Sequence, residues 1–149
     1  MALFLNNRII IAAPIEDVWD ALINPEKTKQ YMYGCETVSD WQVGSALLWQ
    51  AEQEGAIMVF VKGHILRINA PHHLTYTVID PHANIDDNAE NYLTVTYDLE
   101  AQADGQTELK VTQGDYDLVA EGSRRYAESN ATGEGWLPIL RGIKALVEA

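Results

Sequence analysis

Ala13-Pro14-Ile15-Glu16-Asp17-Val18-Trp19-Asp20-Ala21-Leu22 runs, after Ile23, into Asn24-Pro25-Glu26, placing two helix-start signals in close succession. Pro14 suits a first helical turn, and Glu16 and Asp17 favour its positive end. Ile15, Val18, Trp19 and Leu22 then fall on one face, which predicts a short amphipathic helix. Asn24 and Pro25 repeat the signal as a capping side chain followed by proline, predicting a second short helix to about Met32.

Upstream, Leu3 to Ala12 is rich in Leu and Ile, broken by Asn6, Asn7 and Arg8, and reads as a first strand. Downstream, the period changes to two from Thr37 to Gln113. Strand-like runs lie at Ser45 to Ala51, Ala56 to Ile68, Leu74 to Ile79, Tyr92 to Ala101 and Thr107 to Gln113. Asp104-Gly105 supplies the positive φ angles of a tight hairpin, so the last two runs should pair antiparallel. In Tyr92 to Leu99 the alternation is clean, with Leu93, Val95, Tyr97 and Leu99 on the buried face. Ile57 to Ile68 is apolar on both faces and leaves its buried side open.

After Asp115 the pattern becomes helical. Trp136, Ile139, Leu140, Ile143, Leu146 and Val147 form one apolar stripe, with Arg141 and Lys144 outside it. Gly133, Gly135 and Pro138 predict a kink or break in the first half of this terminal helix. The expected architecture is α+β, one domain over residues 1–149: a curved antiparallel sheet around a long C-terminal helix, with two short helices after strand one.

Composition narrows the partners. The 149 residues carry 10 basic and 22 acidic side chains, a net charge of −12 that repels nucleic-acid phosphates and anionic lipid. Cys35 is alone, so no intrachain disulfide forms, and a reducing compartment is expected. The start shows no basic region leading into a long apolar run, and no 18 apolar residues stand together, so a cytoplasmic location is expected. Asn130-Ala131-Thr132 matches a glycosylation pattern that has no consequence in such a setting.

The order of elements is similar to the helix-grip fold of the START-like (SRPBCC) superfamily. Residues 13–22 with Asn24-Pro25-Glu26 resemble the opening of the family of activator of heat-shock protein 90 ATPase homologues. Gly63-His64-Ile65-Leu66-Arg67-Ile68-Asn69-Ala70-Pro71-His72-His73-Leu74 resembles its middle segment, and Gly135-Trp136 with Leu140 and Ile143-Lys144 resembles its closing helix. Ala70 departs from a proline common there, and Pro138 is a second departure. The resemblance implies a helix-grip domain, a stress-response setting and, through eukaryotic members, a chaperone partner. The superfamily ranges from lipid carriers to polyketide cyclases, so the fold alone does not choose an activity.

No phosphate loop, nucleophile elbow or zinc-protease motif is present. His72 and His73 are strand or turn neighbours whose side chains point apart, and Asp80 to Asn88 lacks the glycine and closing glutamate of a calcium loop. No catalytic residue, metal ligand or cofactor is assigned. The expected site is an apolar pocket between sheet and terminal helix, holding a small hydrophobic molecule. Its expected lining is Trp41, Trp49 and Trp136 with Tyr76, Val78, Val95 and Tyr97. Leu109, Val111 and Leu140 complete that set. Plain core packing is the competing reading of the aromatics. An enzyme acting on a hydrophobic substrate, with His64, Tyr76 or Asp98 in the pocket, and a co-chaperone are the alternatives.

Overall fold

The computed structural model of the protein describes residues 2–149. The first strand is Leu5–Ile11 (β1), and each helix-start signal yields a helix, Ile15–Ile23 (α1) and Pro25–Tyr31 (α2). Pro14 stands one position before α1, its carbonyl accepting from the N–H groups of Asp17 and Val18. Asn24 caps α2 by accepting from the Glu26 N–H at 3.0 Å, with Pro25 at the first helical position. Each signal thus acts through the backbone groups that a helix start leaves unpaired.

Six further strands follow: Glu36–Ser39 (β2), Ala46–Gln53 (β3), Ala56–Asn69 (β4), His73–Val78 (β5), Leu93–Ala101 (β6) and Thr107–Gly114 (β7). All seven form one antiparallel sheet in the order β1-β7-β6-β5-β4-β3-β2. β1 and β2 therefore lie on opposite edges, about 29 Å apart measured along the sheet at the usual spacing between strands. Helices α1 and α2 carry the chain across that distance. β2, only four residues long, is too short to display an alternation and is the strand that the sequence pattern passes over.

The sheet is curved. Its pairing slips between Trp49 and Gln50 in β3 and between Ile65 and Arg67 in β4, and an extra residue on one strand bends it and increases its twist. Opposed residues share a face, so the row Tyr76, Val95, Gln113 and Leu5 and the row Leu74, Tyr97, Val111 and Asn7 both point to the concave side.

The C-terminal segment breaks where Gly133 and Gly135 predict an interruption. It forms two helices, Gly122–Ser129 (α3) and Leu137–Glu148 (α4). Gly133 and Gly135 take φ of +80° and +57° between them, conformations that end a helix, and Pro138 then sits in the first turn of α4. Leu140 and Ile143 of α4 are fully buried in the same hydrophobic cluster as the concave face of the sheet. None of the described helices is long and apolar enough to cross a membrane.

Two features of this core generate predictions. A side chain at Gly63 would place its Cβ 1.6 Å from the Thr77 carbonyl oxygen, because β4 and β5 approach closely where Lys62 and Ile79 exchange hydrogen bonds. Gly63→Ala is expected to destabilise by about 3 kcal/mol in urea unfolding followed by circular dichroism. The second feature is the buried tyrosines. The Tyr31 hydroxyl donates to the Ala21 carbonyl at 2.8 Å, and Tyr76 and Tyr97 share a 2.8 Å hydrogen bond. Burial pushes all three hydroxyls above the ordinary phenol range. A proton held more tightly when folded stabilises fully below pH 10, and that stability is lost as pH rises from there toward the folded values. Absorbance at 295 nm should therefore report these tyrosinates only together with loss of the circular dichroism signal; ionisation with the fold intact would contradict it.

Candidate functional site

Helix α4 lies along β1 and rests on α1 and α2, so it covers one side of the concave face more than the other. The space left between its N-terminal end and the middle of the sheet is a cavity of about 720 Å³. Trp49, Tyr76, Val78, Val95 and Gln113 form its floor, one contribution from each of β3, β6 and β7 and two from β5. Phe60 and Val61 of β4 form a side wall, and Trp136, Pro138 and Ile139 the roof. Met32, Tyr33 and Cys35 close the side between α2 and β2, and the rim carries Glu128, Ser129 and Thr132 from the end of α3 onward.

The roof is set by a polar residue on an inward strand position. Asn7 of β1 donates from its amide nitrogen to the Glu134 carbonyl at 3.0 Å, and its amide oxygen accepts from the Trp136 N–H at 2.9 Å. Gly135 lies between these two contacts, where a Cβ would stand 2.6 Å from the Asn7 oxygen. Asn130 also accepts from the Gly135 N–H, at 2.8 Å. The Trp136 indole then packs edge-on against Tyr97, with ring centroids 5.9 Å apart, and its N–H donates to the Gln113 side-chain oxygen at 2.8 Å. Tyr97 in turn packs edge-on against Tyr76, and Tyr76 meets Trp49. These contacts join floor to roof in one aromatic series.

The polar groups are few. The Tyr76 and Tyr97 hydroxyls are protonated near neutrality as phenols ordinarily are, burial pushes both higher still, and it pushes the Cys35 thiol up, away from the reactive thiolate. The one charged side chain on the described walls is Glu128, whose carboxylate accepts from Arg124 at 2.8 Å. Among the described residues, the site offers neutral hydrogen-bonding groups in a largely apolar, partly open cleft that no Lys, Arg or His lines.

Of the residues the sequence singles out, Trp49, Tyr76, Val78, Val95 and Trp136 stand together on the cavity walls. Tyr97, Leu109, Val111 and Leu140 are buried beside them in the cluster that supports those walls. Trp41 stands apart: it follows β2 with φ of +57° and is half-buried at the edge of the core. His64 lies in an exposed position, its Nδ1 3.2 Å from the Thr77 hydroxyl. Asp98 pairs with His73 at 2.7 Å on the outer face, where His73 also meets Thr75.

Gln113, Asn7, Phe60 and Val61 escaped the sequence reading. Gln113 and Asn7 carried a signal, since each continues an inward alternation, Leu109-Val111-Gln113 and Leu5-Asn7-Ile9. Phe60 and Val61 carried none, because β4 is apolar on both faces. Met32, Tyr33 and Cys35 reach the cavity only through the turn between α2 and β2.

Comparison with known proteins bears on the same architecture. The sequence model of one family, described as Activator of Hsp90 ATPase homolog 1-like protein, matches residues 12–148. No curated protein matches the chain. Among solved structures, ChR145 from Cytophaga hutchinsonii is 37% identical with a TM-score of 0.74, covering 98% of this chain and 94% of its own. MLL2253 from Mesorhizobium loti is 19% identical, TM-score 0.72, covering 98% and 97%. PFC0360w, an HSP90 activator from Plasmodium falciparum, is 17% identical, TM-score 0.66, covering 92% and 93%. The last two share the fold alone. With the helix-grip arrangement in place and the family match spanning nearly its whole length, the chain belongs to the family of Activator of Hsp90 ATPase homolog 1-like proteins.

Proposed function

We propose that this chain, one START-like domain over residues 1–149, is a receptor or carrier that holds a small hydrophobic molecule between the sheet and α4. The observation that carries this reading is the cavity itself. Its volume of about 720 Å³ lies within the range of sites for drug-sized ligands, roughly 300–1,000 Å³. Side chains that served only as core would close on one another, since protein interiors pack as densely as organic crystals. Here Phe60, Val61, Val78 and Ile139 leave apolar surface open to a cleft that is backed by the buried Trp49, Tyr76, Val95 and Trp136.

The enzyme reading has less support. Tyr76 and Tyr97 are two titratable groups in hydrogen-bond contact, but both are held in the protonated, donating form. Proton abstraction needs a base within reach, and the Glu128 carboxylate is engaged by Arg124 at the rim. The co-chaperone reading draws on the family description and on an acidic chain of net charge −12, and charge of this kind steers encounters without selecting one partner. The lone, buried Cys35 thiol suits a reducing, cytoplasmic setting.

Nile red, an uncharged dye whose emission moves to the blue in apolar surroundings, tests the receptor reading. The wild-type protein is expected to bind it with a blue shift, and dye at 100 times its dissociation constant should stabilise the fold by about 2.7 kcal/mol. Val78→Trp, which directs a larger side chain into the cavity, is expected to weaken binding at least about tenfold, or about 1.4 kcal/mol, while retaining a cooperative thermal transition. Equal dye binding by the two proteins would refute the cavity as the site. Stimulation of Hsp90 ATP turnover by both alike would favour the chaperone reading.

A further inference from the structure

Behind the exposed Gln53, Ser129 and Thr132, the hydrogen-bonding side-chain protons on the inner walls of the cavity can be counted. Tyr76 and Tyr97 are both protonated and meet through one 2.8 Å contact, so two hydroxyl protons serve a single bond. One proton is left over. Were Tyr76 the donor, the spare proton would sit on Tyr97, which is 1% exposed and off the cavity walls, and among the described residues it has no further acceptor. A buried donor without a partner is costly. With Tyr97 donating, the spare proton belongs to Tyr76, which is buried as deeply, 1% exposed, but is one of the residues that line the cavity.

Gln113 repeats the arrangement. An indole N–H only donates, so its 2.8 Å contact with Gln113 must be to the amide oxygen, which fixes the orientation of the amide. The Gln113 NH₂ group then has two protons and, among the described residues, no acceptor. Tyr76 and Gln113 belong to one cross-strand row with Val95 between them, so both donors serve the same floor.

The charges on the walls exclude one class of acceptor. Among the described residues, no Lys, Arg or His lines the cavity, and Glu128 is its one charged side chain. An entering carboxylate or phosphate would lose its hydration without a counter-charge, inside a chain of net charge −12.

We propose that the cavity selects an uncharged, largely apolar ligand bearing a hydrogen-bond-accepting oxygen, such as a ketone carbonyl, which Tyr76 and Gln113 bind from the floor. This rests on the receptor reading and adds to it the chemical class of the ligand. Fatty acids and other anions of the same apolar bulk are rejected by the missing counter-charge, and plain hydrocarbons leave the two floor donors unpaired.

Three probes on one ring frame separate these terms: 9-fluorenone, fluorene and fluorene-9-carboxylate, each titrated against the wild-type protein by quenching of tryptophan fluorescence. Fluorenone is expected to bind about fivefold or more tightly than fluorene, the return on one or two neutral hydrogen bonds. The carboxylate is expected to bind at least about 100-fold more weakly than fluorenone. The infrared carbonyl stretch of bound fluorenone should lie below its value in cyclohexane. Tyr76→Phe should reduce the preference for fluorenone over fluorene, read as the ratio of the two affinities within the variant. Equal binding of fluorenone and fluorene, or an unshifted carbonyl stretch, would overturn the inference, and so would carboxylate binding as tight as that of the ketone. All three leave the receptor reading in place, whereas failure of every probe to bind would remove that reading and this inference together. Because the probe series and the infrared measurement use the wild type, the inference stays open to refutation even if the variant does not fold.

Discussion

Asn7 accepts from the Trp136 N–H and donates to the Glu134 carbonyl, and those two hydrogen bonds decide where α4 begins. The segment before α4 has no regular structure of its own, and its glycines allow many conformations. Bound to an amide on β1, it delivers Trp136 to the concave face with its indole N–H toward Gln113. Trp136 thereby roofs the cavity from the position just before α4. One strand residue thus helps to hold the roof of the cavity.

The floor shows how a sheet can be apolar yet carry direction. Tyr76, Tyr97, Trp136 and Gln113 are linked ring to ring and by two hydrogen bonds, one between the tyrosine hydroxyls and one from the indole N–H to the Gln113 oxygen. Polar groups in a region of low dielectric are tolerated when they are bonded and become selective where they are not. Burial reinforces this by holding the hydroxyls neutral. The same aromatic side chains support the wall and present the donors, so stability and recognition draw on one set of residues.

Much of the fold was readable before any coordinates. The Asn24-Pro25 pair and the turn of Asp104-Gly105 act through nearest-neighbour geometry, and β6 alternates so cleanly that its inward residues follow from period two. Legibility ended where that local logic did. β2 has four residues and no pattern to show. β4 is apolar on both faces, which hid the part played by Phe60 and Val61. α3 was absorbed into the terminal helix because Gly133 and Gly135 signal an interruption without saying whether the chain bends or stops. Trp41 is aromatic, like the residues on the walls, but its position after a short edge strand keeps it away from them.

The sequence by itself determined the order and kind of most elements, the pairing of the last strands and, where the alternation is clean as in β6, which face turns inward. Those properties depend on contacts between residues close along the chain, where spacing and side-chain chemistry suffice. Only the tertiary structure decided that a space remains, which residues enclose it and which of their protons are unused. A cavity is a relation among β1, β3 to β7, α4 and the turn after α2, elements far apart in the chain. Its existence depends on the curvature from two pairing slips and on the start of one helix, and no local pattern encodes the sum of those displacements.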